Sequence, residues 1–192
     1  MRHQGKGLTK EGWNIAKQAR KTLSDPFLIV ISSPKRRCRE TVEAMGFKDY
    51  LIDKRFSTLQ KKRFEGFKKQ LKQIENEKKC SWFESLFELE EARKVLKDQA
   101  ALFLRILRSV ARSLPEGGKA LVVSHGERIA AASLLNYPGY DLKEIGGALG
   151  PCEGAVFYFE EDKDMPVRIE VKREHMQDEG KVNGRKDGGA GT

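Results

Sequence analysis

Cysteine is scarce in this chain and so is histidine, with three of each among 192 residues. Cys38, Cys80 and Cys152 stand far apart and form no Cys-x-x-Cys pair. That excludes a disulfide scaffold and a cysteine zinc site, and it fits a reducing compartment. Long apolar runs are missing too. The longest, around 100–114, is broken by Arg105, Arg108 and Arg112, so no membrane contact is expected. No apolar run follows the charges of residues 1–7, so no secretory leader is expected and a cytoplasmic location is. No His-x-x-x-His pair or carboxylate cluster is present, so neither a metal nor another cofactor is expected.

What is present in excess is positive charge. The chain carries 37 Lys and Arg against 28 Asp and Glu, a net +9. Residues 1–79 hold 21 of the basic and 9 of the acidic side chains, and residues 80–192 hold 16 and 19. A basic half points to an anionic partner, although a charge run can equally be a plain solvated face. Nucleic acid is disfavoured, because the basic stretches lack the aromatic interleaving of single-strand binders. The length suggests one domain, expected here over 1–175. Beyond it, residues 176–192 are polar and Gly-rich and are expected to be a disordered tail.

Three short β-branched runs predict strands: Phe27 to Ile31, Ala120 to Val123 and Ala155 to Phe159. A fourth, Val167 to Val171, alternates like a half-exposed edge. Between them the periodicity is helical. Thr9 is placed to cap a helix over 10–23, and Pro34 to open one that Gly46 closes. A long helix is expected over 86–114, and another follows Gly126. Residues 60–85 break this rhythm as a Lys-rich helical insertion, with Phe64, Phe67, Leu71 and Ile74 at helical spacing. Strands alternating with helices predict an α/β fold with a mostly parallel sheet and helices on both faces.

In such a fold, sites form at the carboxyl ends of the strands. Ser32-Ser33-Pro34-Lys35-Arg36-Arg37 and Ser124-His125-Gly126 are both strand-to-helix junctions, so both are delivered to that edge. Arg2-His3 stands at the start of the sequence, and Arg55-Phe56-Ser57-Thr58-Leu59 precedes Glu65-Gly66. Two histidines converging with two arginines suit a phosphoryl group. Arginine offers a fixed fork of donors to phosphate oxygens, and a neutral imidazole can attack phosphorus.

Arg2-His3, Leu8-Thr9-x-x-Gly12, Ser32-Ser33-Pro34-x-x-Arg37 and Ser124-His125-Gly126, in that order, resemble the signatures of the histidine phosphatase superfamily, the phosphoglycerate-mutase-like fold. The resemblance covers about residues 2–160. It implies a three-layer α/β/α sandwich around a mostly parallel sheet. It also implies His3 as the phosphorylated nucleophile, Arg2 and Arg37 as the phosphate clamp, and His125 completing the pocket. Arg36 is one place off the pattern and is assigned to the surface.

The sequence departs from the family in three places. Gln4 stands where a glycine usually follows the Arg-His pair. Only Met1 precedes that pair, which in the family ends a central strand; either the first strand is truncated or the natural chain begins earlier. Thr58 stands where the general-acid glutamate is expected, leaving Glu65, Glu84 or Glu127 to serve instead. The resulting expectation is a metal-independent phosphatase, rather than a mutase, acting through phospho-His3 on a phosphomonoester or phosphohistidine. Its partner would be a phosphorylated small molecule or a phosphoprotein. The alternative is a degenerate, non-catalytic relative that binds phosphorylated partners or other anions.

Overall fold

Ile29–Ser32 forms the strand (β1) on which the others align, three of its four residues being buried. In the computed structural model, which describes residues 7–24, 26–135, 142 and 147–173, β1 lies between two parallel neighbours. Leu51–Ile52 (β2) pairs on one side, and Ala120–Val123 (β3) on the other. Register runs from Ile29 opposite Ala120 to Ser32 opposite Val123, while Ser32 also lies opposite Ile52. All three strands therefore end together. β2 has no counterpart among the predicted strands: two residues are too few to show a period, and both are exposed.

Helices cover both faces. On one, Lys10–Lys21 (α1) starts where Thr9 Oγ1 accepts the Gly12 N–H at 3.0 Å. Its Ala16 and Ala19 pack with Ala44 and Met45 at the end of Arg36–Ala44 (α2) and with Leu121 of β3. Gly46 follows at φ 86°, the left-handed backbone that glycine adopts without a Cβ penalty. On the other face, Phe103, Leu104, Ile106 and Val110 of Glu90–Ala111 (α5) pack with Ile31, Phe56 and Ala132, and with Ala120 and Val122 of β3. Ala132 belongs to Gly126–Leu134 (α6). Leu121 facing one way and Ala120 and Val122 the other is the period-two alternation of a sheet buried on both sides.

The expected single helix over 86–114 is two. Trp82–Glu88 (α4) ends at Leu89, whose extended backbone (φ −107°, ψ 115°) starts α5. The apolar spacing continues across the break, which hides it from a periodicity reading. Arg93 Nε donates to the Phe87 carbonyl at 2.9 Å and so satisfies an end group that a continuous helix would have bonded. Ser81 caps α4, in a reciprocal box with Glu84; Ser85 is buried and bonds the Trp82 carbonyl. Pro34 lies just outside α2, with Lys35 as its N-cap.

Between β2 and α4, a 3-10 helix (Lys61–Phe67) leads into Lys68–Lys78 (α3). Phe64 and Leu71 are buried against Phe83, Leu86 and Leu96, in a cluster that reaches Ala130 and Leu134 of α6. The Lys-rich stretch is thus anchored by its apolar side, and its charges stay in water. Gly154–Tyr158 (β4) and Arg168–Lys172 (β5) form a separate antiparallel pair, not an edge of the parallel sheet, with the Arg168 guanidinium 3.9 Å from the centre of the Tyr158 ring. β4 packs on α6. Residues 1–6 and 174–192, the sites of the expected truncated strand and disordered tail, lie outside the described residues.

Leu71 is only 1% exposed. Leu71→Ala should lower stability by about 2–5 kcal/mol, the usual cost of truncating a buried leucine. Urea unfolding measures this, and a loss below about 1 kcal/mol would mean that α3 only rests on the domain.

Candidate functional site

Three loops leave the aligned strand ends side by side. Ser33 donates its backbone N–H to Val123 O at 2.9 Å, and Asp53 donates its own to Ser32 O at 3.0 Å. Ser33 to Arg37 follows β1, the 53–59 loop follows β2, and Ser124-His125 follows β3. α2 and α6 start at this edge, presenting the positive ends of two helix dipoles.

His125 is the N-cap residue of α6 and is 4% exposed. Its ring spans the site. Nε2 lies 2.9 Å from Ser33 Oγ, and Nδ1 lies 2.9 Å from Arg37 Nη2. Cys38 Sγ is 3.8 Å from the same Nε2 and donates to the Ser124 carbonyl at 3.4 Å. Burial, aided by the charges of Arg37, Lys35 and Arg128, pushes the imidazole down from its ordinary 6.5 to about 4. The ring is therefore neutral at physiological pH. Burial likewise pushes the Cys38 thiol up, against the opposing pull of Arg37.

The 53–59 loop is tied to the same edge by its backbone. Asp53 caps a short 3-10 turn, Lys54–Phe56, and Phe56 is buried with its ring 5.7 Å from that of Phe103. Ser124 Oγ donates to Phe56 O at 2.8 Å. Arg128 Nη1 donates to Arg55 O at 2.8 Å and to Ser57 O at 3.0 Å, while its guanidinium lies 4.7 Å from the centre of the Phe103 ring. Arg128 is 8% exposed, so a buried cation is held by carbonyl dipoles and an aromatic face. Thr58, half-buried, follows directly.

The structure thus brings Arg37 and His125 into contact. Arg36 is on the surface, paired with Glu40 at 2.6 Å. Arg2 and His3 lie outside the described residues, as does Gln4. Glu65 is exposed on the Lys61–Phe67 turn, and Glu127 is half-buried in the first turn of α6; no hydrogen bond ties either to the Arg37–His125 pair. Glu84 is committed elsewhere, its carboxylate accepting the Ser81 N–H at 2.7 Å and held below its usual range by that bond. Such a group is poorly suited to act as an acid. Sequence reasoning brought Ser33 to this edge only as part of the strand-to-helix junction, with no role for its side chain, and missed Cys38 and Arg128 as parts of the site. A serine closing a buried strand, and an arginine on the inward face of a small-residue helix, were the available signals.

Among the described residues no three His, Cys, Asp or Glu side chains converge to hold a metal ion. No helix there is long and apolar enough to cross a membrane.

The profile of the histidine phosphatase superfamily (branch 1) matches residues 1–170. No curated protein sequence matches significantly. Among solved structures, a mycobacterial glucosyl-3-phosphoglycerate phosphatase is similar at 20% identity and a TM-score of 0.51, over 86% of this chain and 84% of that one. A protein described as mycobacterial hydrolase 1 is similar at 20% identity and 0.56, over 87% and 86%. At that identity the likeness is one of fold.

The depressed imidazole has a measurable consequence. Above pH 6.5 the folded and unfolded chains both hold His125 neutral; between 6.5 and about 4 only the unfolded chain takes up the proton. Stability should therefore fall as pH falls through that window. The thermal midpoint of the wild type should drop more steeply there than that of His125→Gln. Parallel curves would show that the ring is not held neutral.

Proposed function

Because the chain belongs to the histidine phosphatase superfamily (branch 1), we propose that it is a metal-independent phosphatase working through a phosphohistidine intermediate on His3. The observation that carries this reading is the buried, neutral His125 bonded to Arg37 at the common end of three parallel strands. A phosphoryl group entering there meets the Arg37 fork, two helix N-termini and, by family membership, Arg2. The His3 imidazole attacks phosphorus, forming a P–N bond as the bond from phosphorus to the leaving group, P–O in an ester or P–N in phosphohistidine, breaks with its electron pair. Water then attacks the phosphohistidine, releasing phosphate and restoring His3. Fixed donors around phosphorus stabilise the charge that shifts during both steps.

The leaving oxygen needs a proton, and Thr58 cannot supply one at neutral pH as a raised-pKa carboxyl does. That favours phosphohistidine or small phosphomonoesters with good leaving groups. The substrate would be a phosphorylated small molecule or phosphoprotein in the cytoplasm, and the lysines of 60–79, all exposed, are the candidate rim for its negative charge. A second reading rests on the same loop. With threonine at position 58 and, among the described residues, no carboxylate bonded to the Arg37–His125 pair, the protein would be a non-catalytic member that binds phosphorylated partners.

Turnover of an activated aryl phosphate and of phosphohistidine, in EDTA, separates the two. The phosphatase reading expects activity that His3→Ala abolishes and Arg37→Ala lowers by about 10²–10³-fold. No turnover on either substrate would sink the phosphatase reading on these substrates and favour the binding one. Thr58→Glu should raise turnover of alkyl phosphates by about tenfold or more, as positioned acids do. If it leaves that turnover unchanged, position 58 is not where the acid is missing.

A further inference from the structure

Arg37 can only donate hydrogen bonds, and a backbone carbonyl can only accept them. These two facts orient every bond between them. Arg37 Nη2 lies 2.9 Å from His125 Nδ1, so Nδ1 is the accepting nitrogen. The neutral ring then carries its hydrogen on Nε2, which donates to Ser33 Oγ at 2.9 Å. Cys38 Sγ lies 3.8 Å from the same Nε2 and donates to Ser124 O at 3.4 Å. With its thiol hydrogen spent on that carbonyl, Cys38 can only accept, and what faces it is Nε2–H.

We infer that Ser33 and Cys38 are positioning residues: both receive the Nε2 hydrogen and so hold His125 as its Nε2–H tautomer, with Nδ1 turned toward Arg37. Arg37 gives a hydrogen to Nδ1, Nε2 gives one toward Ser33 Oγ and Cys38 Sγ, and Cys38 gives its own to the Ser124 carbonyl. Ser33 is fully buried and Cys38 is 3% exposed, so water does not compete for either partner. The opposite tautomer would point an N–H at the Arg37 N–H and leave the Ser33 oxygen without its donor. Such mismatches inside a protein cost far more than in water. Its catalytic use rests on the phosphatase reading. Nδ1 is the ring atom beside the arginine that would grip phosphate, and its one lone pair, taken up by that arginine, keeps the guanidinium in place for the phosphoryl oxygens.

The test is long-range proton–nitrogen NMR on the nitrogen-labelled full chain near neutral pH, with the His125 ring assigned by its loss in His125→Gln. The wild type should show a pyrrole-type Nε2 and a pyridine-type Nδ1. Ser33→Ala should give a mixture of tautomers, and Ser33→Thr, which keeps the hydroxyl, should restore the single form. Cys38→Ala should loosen the preference, and Cys38→Ser should keep it. Phosphatase kcat/KM should follow the same order, falling about tenfold to a hundredfold in the alanine variants, the scale on which orienting partners act. Thermal midpoints separate these effects from misfolding. A wild-type ring protonated on Nδ1, or a Ser33→Ala ring that stays wholly Nε2–H, would overturn the assignment. If the wild type turns over no substrate, the phosphatase reading fails while the ring pattern still decides the tautomer.

Discussion

Two backbone hydrogen bonds set the geometry on which everything else depends. Ser33 N–H to Val123 O and Asp53 N–H to Ser32 O make β2, β1 and β3 stop at one level. A shift by one residue in either pairing would turn each strand's side chains to the opposite face. Phe56, Ser33 and His125 would then leave their pockets together. Register in this sheet is fixed from both sides, because Leu121 faces the α1–α2 layer while Ala120 and Val122 face α5. The helical layers therefore do more than cover the sheet. By accepting only one register they bring the loops after β1, β2 and β3 into contact.

The charge at this edge is arranged around a group that carries none. Arg37, Lys35 and Arg128 all bear on a buried imidazole, and each makes its protonation harder. A buried edge surrounded by cations repels a further cation and favours an anion. Arg128 is the least ordinary of the three. It is held by the carbonyls of Arg55 and Ser57 and by the Phe103 ring, and its own burial lowers its pKa. A cation neutralised by dipoles alone keeps its field available to whatever binds beside it.

The parts of this structure legible in the sequence are those written in short-range chemistry. Thr9 caps α1, Gly46 ends α2 in left-handed backbone, and the runs at Ile29 and Ala120 are strands, because each signal lies within a few residues of what it specifies. The contact of Arg37 with His125 was also legible, since both follow strands and parallel strands end on one side. What was not legible depended on partners distant in sequence. The break at Leu89 needs Arg93 to satisfy the Phe87 carbonyl, and the apolar spacing passes through it unaltered. The pairing of β4 with β5 apart from the main sheet is a tertiary choice that alternation cannot encode. Ser33 and Cys38 look like ordinary small residues until folding places a histidine from 87 and more positions away against them.

The loop after β2 is gripped almost entirely by its main chain. Ser124 and Arg128 bond the carbonyls of residues 55, 56 and 57, and every amino acid has a carbonyl. Phe56 and Leu59 contribute the side chains that the core requires. The path of the loop is therefore nearly independent of what stands at positions 55, 57 and 58. Such a loop behaves like a socket with a fixed frame and an exchangeable insert. The side chains at 55, 57 and 58 can change without the frame moving, so on the proposed phosphatase reading the identity of residue 58 would alter chemistry while leaving the architecture that presents it intact.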